Sequence, residues 1–421
     1  MTAATTSLPI QDFAGSAATV RPLPWYRDVA ALTLALSIFG FPLAAISSSF
    51  IGLSDNIATV GVRALVAGLA GILFLQQLFK RQLNFVDGAL CLYALALAAR
   101  LIWDGWFDNR DAAHFALLFF ALTTFLPAIV IGNAARLGWN DRNVVLAMLF
   151  IGFGTVLLAL IVQSTGIGIL WADQTTSTPT DRLGFERINP ISLGTMAGTT
   201  LLIAYFVFLN DRDTKVRVMM SGIMALSLIL VYLAASRGPI VSLFGTIAFA
   251  ALVNRRAAIS LSLGILAFIA AVIFSVVDLS GLATTLRFDV AGSDVNSTSR
   301  LDYIAEAYDA FLQSPVYGRV FELPISGGWP HNYFVEVLMS TGLIGMAIFL
   351  VPVTRGLFES ARIFKIGGSI GAVLFIQNIL AGQFSGSMWA ATNLWIGLMM
   401  LRGERLRIQK ISKSPESGQQ P

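Results

Sequence analysis

Arg237, Arg300 and His331 are the residues of this chain best suited to chemistry. Two are permanent cations, and the third titrates near neutrality. A guanidinium offers a planar fork of N–H donors that meets phosphate oxygens two at a time. An imidazole can take a proton from a hydroxyl. Such a set suits transfer from a phosphate-bearing substrate. Local sequence supports the positioning. Ser236-Arg237-Gly238-Pro239 joins a capping residue to a first-turn proline, so a helix is expected to start there with its amides and positive dipole end turned outward. Pro330-His331-Asn332 is expected to open another helix, with Glu336 sharing a face with Asn332. A carboxylate inside an apolar helix is costly and is either functional or paired, so Glu336 is expected to brace the site rather than react. Each residue also has a plainer role available. An arginine at a span end snorkels to lipid headgroups, and a histidine at a helix start hydrogen-bonds structurally.

The elements that must position these residues are apolar. The 421 residues are 56% hydrophobic and 12% charged, with a mean hydropathy of +0.74. Soluble domains carry about 25% charged residues. Apolar runs long enough for about 30 Å of hydrocarbon recur throughout. The reading is an all-α polytopic membrane protein of about twelve spans, near 29–50, 57–79, 85–102, 112–132, 143–163, 191–209, 218–235, 239–253, 257–277, 332–353, 367–384 and 388–401. Gly382, Ser385 and Gly386 interrupt the last two, which could form one broken hairpin. Residues 1–28 and 402–421 read as polar tails, and 29–50 is too long for a signal-peptide core. The 278–331 segment reads as an outer loop between spans 29–277 and 332–401.

Charge sets the orientation. Of the 28 Lys and Arg residues, 19 fall on one set of loops and tails, 8 on the other, and Arg63 within a span. Both termini are therefore expected to be cytoplasmic, with Arg182, Arg187, Arg237, Arg300 and His331 on the opposite face. The net charge of +4 is spread through short loops, so it marks topology and lipid contact, not nucleic-acid binding. Two outer loops, 164–190 and 278–331, exceed ordinary connection length. Within the second, Leu301, Ile304, Ala305, Tyr308, Phe311 and Leu312 have helical spacing. Ser299 is expected to cap that amphipathic helix, Arg300 to lie in its first turn, and Ser314-Pro315 to end it.

Other motifs carry less. Asp211-Arg212-Asp213 has a metal-binding spacing but falls in a short inner loop, and no metal or cofactor is expected. His114 and Cys91 are expected to be packing residues, and Arg63 to pair with a carboxylate or a lipid phosphate. The chain has no phosphate-binding glycine-rich loop, no HExxH and no Cys/His cluster.

Taken in order, the motifs resemble the O-antigen ligase and polysaccharide polymerase superfamily of bacterial inner-membrane glycosyltransferases. They are Arg182-Leu-Gly184 with Asn189-Pro190, Ser236-Arg237-Gly238, Arg300, Pro315-Val-Tyr-Gly318, and His331-Asn332-Tyr-Phe-Val-Glu336 leading into Gly342-Leu-Ile-Gly345. The resemblance runs from about 180 to 350. It implies a GT-C-like helical fold and metal-independent, inverting transfer of a glycan from undecaprenyl diphosphate at the periplasmic face. The acceptor would be lipid A–core in a ligase, or a second lipid-linked glycan in a polymerase. Arg237 and Arg300 would hold the diphosphate, and His331 would act as base. Arg182, Arg187, Asn332 and Glu336 would line or brace the substrate site. Two rivals are a twelve-span transporter, which would place charges near the midplane on broken helices, and a non-catalytic scaffold.

Overall fold

A computed structural model describes residues 24–51, 55–139, 141–166, 169–172, 179–185, 188–273 and 295–413. Most of it is helix. The helices are α1 (Pro24–Ile51), α2 (Asp55–Phe79), α3 (Gly88–Trp106), α4 (Asp111–Phe119), α5 (Leu126–Leu137), α6 (Asp141–Ser164), α7 (Pro190–Asn210), α8 (Thr214–Leu233), α9 (Arg237–Ala251) and α10 (Arg255–Ile273). Then come α11 (Val295–Gln313), α12 (Tyr333–Lys365), α13 (Ile370–Ala381) and α14 (Thr392–Lys413). A π-helical turn, Phe120–Phe125, joins α4 to α5 into one rod.

Eight helices among the described residues are long and apolar enough to cross a bilayer. They are α1, α2, α3, the α4–α5 rod, α6, α7, α8 and α12. The apolar helices α9 and α13 have 15 and 12 residues, so they rise only about 22 and 18 Å. The short α13, followed by a 382–391 loop and then α14, fits the broken-hairpin reading of the last two spans. Leu65, Ile72, Leu75, Leu92, Leu95, Leu228, Ile229, Leu263 and Ile265 are exposed, which gives the bundle the apolar outer surface that lipid requires.

The chain is not wholly helical. In the 164–190 loop, Ile169–Ala172 pairs antiparallel with Pro179–Gly184, in the register Ile169 opposite Gly184 and Leu170 opposite Leu183. The pair ends in buried Leu183, Phe185 and Ile188, which tuck the loop against the bundle before Asn189 caps α7. Short strands at a loop give no helical periodicity to read.

The ends of the bundle sort as the charge pattern requires. At one end, Asn133 and Arg136 hold the Gln82 carbonyl at 2.8 and 3.1 Å. Arg355 pairs with Asp87 at 3.0 Å, and Arg402 with Glu359 at 3.2 Å. Asn210 and Asn254 donate to the Gly367 and Phe364 carbonyls. These contacts join the loops assigned to the basic, inner face. The pairs also let α12 run past its apolar stretch to Lys365, twelve residues beyond the end expected near 353.

The opposite end is organised by a break in α12. Gly342 stands at φ 65°, ψ −162°, and interrupts the helix. Three hydrogen bonds then tie the 314–319 loop to the break. The freed N–H groups of Leu343 and Ile344 donate to the Pro315 and Val316 carbonyls at 2.9 and 3.3 Å, and Arg319 N–H donates to Met339 O at 2.7 Å. Gly318, at φ +77°, touches the Ser340–Thr341 backbone so closely that a Cβ there would lie 2.3 Å from Ser340 C. Irregular backbone at this depth is tolerated because the loop supplies its partners.

Candidate active site

Three segments meet at that end: the start of α9, the start of α12, and the 382–391 loop. Tyr333 N–H donates to Gly382 O at 3.0 Å, and the Tyr333 ring lies where a Gly382 side chain would be. Gly238 packs on Phe384. Glu336 Oε1 accepts from Ser387 Oγ at 2.5 Å and from Met388 N–H at 2.9 Å. Asn332 caps α12 by accepting from Phe334 and Val335 N–H. So Asn332 shapes the helix start, and Glu336, 2% exposed, braces the loop.

His331 precedes the cap at φ +55°, an arrangement that costs a non-glycine residue about 1–3 kcal/mol. Ala235, just before Ser236-Arg237, has φ +43°. Two of the four described non-glycine residues with positive φ thus stand at this site, and such strain collects where geometry serves function. The His331 ring lies beside Tyr303 of α11, with centroids 6.3 Å apart. Burial lowers its pKa, and the neighbouring Arg300 charge lowers it further. His331 is therefore held neutral beside a guanidinium. Arg237 and Arg300 are both half-buried.

The site also concentrates unsatisfied polar atoms. Trp329 Nε1, His331 Nδ1, Glu336 Oε2 and Trp389 Nε1 are all buried without a hydrogen-bond partner among the described residues. A buried polar group left unpaired costs about 1–3 kcal/mol. The indoles of Trp329 and Trp389 lie 5.4 Å apart, and Trp389 also meets Phe115 and Phe119. Two N–H donors, an imidazole nitrogen and a carboxyl oxygen are thus left unsatisfied at this end of the molecule. The two tryptophans escaped the sequence reading. Trp329 falls in a polar segment before an apolar run, and Trp389 at the start of the last expected span.

Residues 222–350 match the O-antigen ligase family model. The match supports the resemblance to the O-antigen ligase and polysaccharide polymerase superfamily. It contains Arg237, Arg300, Pro315–Gly318, His331–Glu336 and the Gly342 break, and leaves out Arg182–Gly184 and Asn189-Pro190. No curated protein matches the chain.

Several expectations change. Ser236 occupies the cap position of α9 but makes no side-chain cap bond. α11 begins at Val295, so Ser299 lies inside it and Arg300 is in the second turn, not the first. The helix extends back through Val295–Thr298, which the sequence assigned to loop because Val, Asn, Ser and Thr are weak helix formers. Arg182 stands on the second strand, while its side chain and the whole of Arg187 lie outside the described residues, as do 1–23 and 274–294. The Arg63 guanidinium lies over the Phe41 and Phe119 rings at 4.9 and 5.0 Å. Asp213 caps α8 through Lys215 N–H, and Asp211 accepts from Asp213 N–H, so the Asp-Arg-Asp run builds a turn. His114 packs edge-on to Trp106 at 4.3 Å, as expected of a packing residue.

Proposed function

We propose that this protein transfers a glycan from undecaprenyl diphosphate to a sugar hydroxyl at the outer face of the bacterial inner membrane. As the glycosidic bond breaks, negative charge develops on the diphosphate. Arg237 and Arg300 offer bidentate donors for that charge, in the place a metal ion would otherwise take. His331 takes the proton of the attacking hydroxyl. Attack from the face opposite the leaving diphosphate inverts the anomeric centre. Asn332 and Glu336 hold the start of α12 and the 382–391 loop in register around the imidazole. Arg182 and Arg187 supply further phosphate contacts. The observation that carries this reading is the neutral His331, its Nδ1 buried and unpaired, beside Arg300. A base must be unprotonated at working pH, and a leaving-group cation must sit nearby.

The inner-membrane location, cytoplasmic termini, GT-C-like arrangement and about twelve crossings belong to the same proposal. The cytoplasmic termini are supported by the separation of basic loops from the site end, and the membrane location by the eight helices long and apolar enough to cross. The acceptor is lipid A–core or a second lipid-linked glycan. The test is transfer by purified protein in detergent with a lipid diphosphate donor and a glycan acceptor, with chelator present. Arg237→Ala, Arg300→Ala and His331→Ala should each reduce product at least a hundredfold while the protein still inserts and purifies normally. Full transfer by all three variants would refute the assignment. Vesicle uptake without transfer would favour a transporter.

A further inference from the structure

A cleft lies at the same end of the molecule, lined by none of the residues just assigned. It has a volume of about 690 Å³, within the usual range for small-ligand sites. Arg100 and Trp103 of α3 form one wall. Gln313, Ser314, Tyr317 and Arg319 form the other.

The cleft is built, not a gap between loose loops. Fully buried Asp104 holds both walls: it pairs with Arg100 Nε at 3.4 Å and accepts from Phe321 N–H at 2.7 Å. Arg100 Nη1 donates across to Arg319 O at 2.6 Å. The far wall is in turn pinned to the α12 break through Gly318 and the Arg319–Met339 bond. The charge of Arg100 is offset by Asp104. The Arg319 guanidinium is exposed and has no partner among the described residues, so the cleft carries a net positive charge. Trp103, which stacks one face on Phe107 at 4.7 Å, and Tyr317 are 50% and 73% exposed and supply aromatic surface to the cleft. Aromatic faces take the C–H side of a pyranose, amide and hydroxyl side chains take its hydroxyls, and an exposed guanidinium takes a phosphate or carboxylate.

We propose that this cleft is a second glycan site, which holds an anionic sugar unit of the acceptor. The word acceptor rests on the transfer reading above; the sugar-binding chemistry does not. Protein in phosphatidylcholine nanodiscs is titrated with mannose 6-phosphate and with mannose, read by saturation-transfer NMR. The phosphorylated sugar should bind at least tenfold more tightly. Arg319→Gln, a change at an exposed side chain, should erase that preference, and Tyr317→Ala should weaken both sugars. His331→Ala should leave the binding unchanged, because the transfer site is elsewhere.

Equal binding of the two sugars, or binding indifferent to Arg319→Gln, overturns the proposal. So does loss of binding in His331→Ala, which would place the ligand in the transfer site. Loss of binding in phosphatidylglycerol nanodiscs would assign the cleft to lipid headgroups, with Trp103 as an interfacial anchor, and also overturns it. Retention of the predicted pattern in a protein that transfers no glycan upholds the cleft and sinks only the transfer reading.

Discussion

Replacing Gly318 by alanine should open the site end of the molecule. Gly318 sits at φ +77°, and an added Cβ would stand 2.3 Å from Ser340 C, 2.4 Å from Ser340 O and 2.5 Å from Thr341 N. These are backbone atoms of a packed helix, so they cannot rotate aside. The left-handed conformation alone costs a residue with a Cβ about 1–2 kcal/mol. To relieve the clash, the 314–319 loop must withdraw from the Gly342 break. That removes the bonds Arg319 N–H to Met339 O, Leu343 N–H to Pro315 O and Ile344 N–H to Val316 O. At about 1 kcal/mol each, the three add about 3 kcal/mol. The local opening free energy should therefore fall by about 4 kcal/mol, roughly a thousandfold in the opening equilibrium. Hydrogen–deuterium exchange of the Leu343 and Ile344 amides reads this directly. Gly342→Ala strikes the same crossing, with a Cβ 2.5 Å from Gly318 N and from Val316 C. The double variant should therefore be far from additive. Unchanged protection of Leu343 and Ile344 in Gly318→Ala would show that the loop does not carry the helix break, and the account of how Tyr317 and Arg319 are positioned would fall with it.

Other expectations can be checked independently. Because burial and the Arg300 charge lower the His331 pKa, the imidazole is neutral at pH 7 and gains its proton only below the ordinary value of 6.5. Transfer should thus hold from pH 7 down to about 6.5 and fall as the pH drops further. Arg300→Gln should move the His331 midpoint up toward 6.5 in a carbon-13 histidine titration, and a midpoint already at 6.5 in the native protein would contradict the electrostatics. The chain has two histidines, so a His331→Gln control assigns the signal. Ser387→Ala removes the 2.5 Å bond to Glu336 and should cost about 0.5–1.5 kcal/mol, the usual worth of an intramolecular hydrogen bond. Thermal unfolding followed by tryptophan fluorescence should show the loss and its rescue by Ser387→Thr.

Much of the architecture was legible because the membrane imposes one-dimensional rules. Apolar run length located the long helices, and the separation of basic from site-bearing loops followed from counting Lys and Arg. Asn210, Asn254, Asp87 and Arg402 meet at one end as that count requires. The amphipathic pattern of residues 301–312 marked α11, and the Pro330-His331-Asn332 run marked the start of α12. Less legible were features with no period of their own: the strand pair before α7, the π-helical turn at Phe120–Phe125, and the break at Gly342, which looks in sequence like any glycine in an apolar span.

By itself, then, the order of residues determined a bundle of apolar helices and assigned Arg237, Arg300 and His331 to one set of loops, because hydropathy and charge act on each segment without reference to its neighbours. Tertiary structure alone decided that His331 stands beside Arg300 and is held neutral, that the Trp329 and Trp389 indole N–H groups are buried without a partner among the described residues, and that α3 meets the 313–319 segment to form a cleft. Those outcomes depend on which surfaces are buried against which, and burial is a property of the packed assembly, not of any one segment.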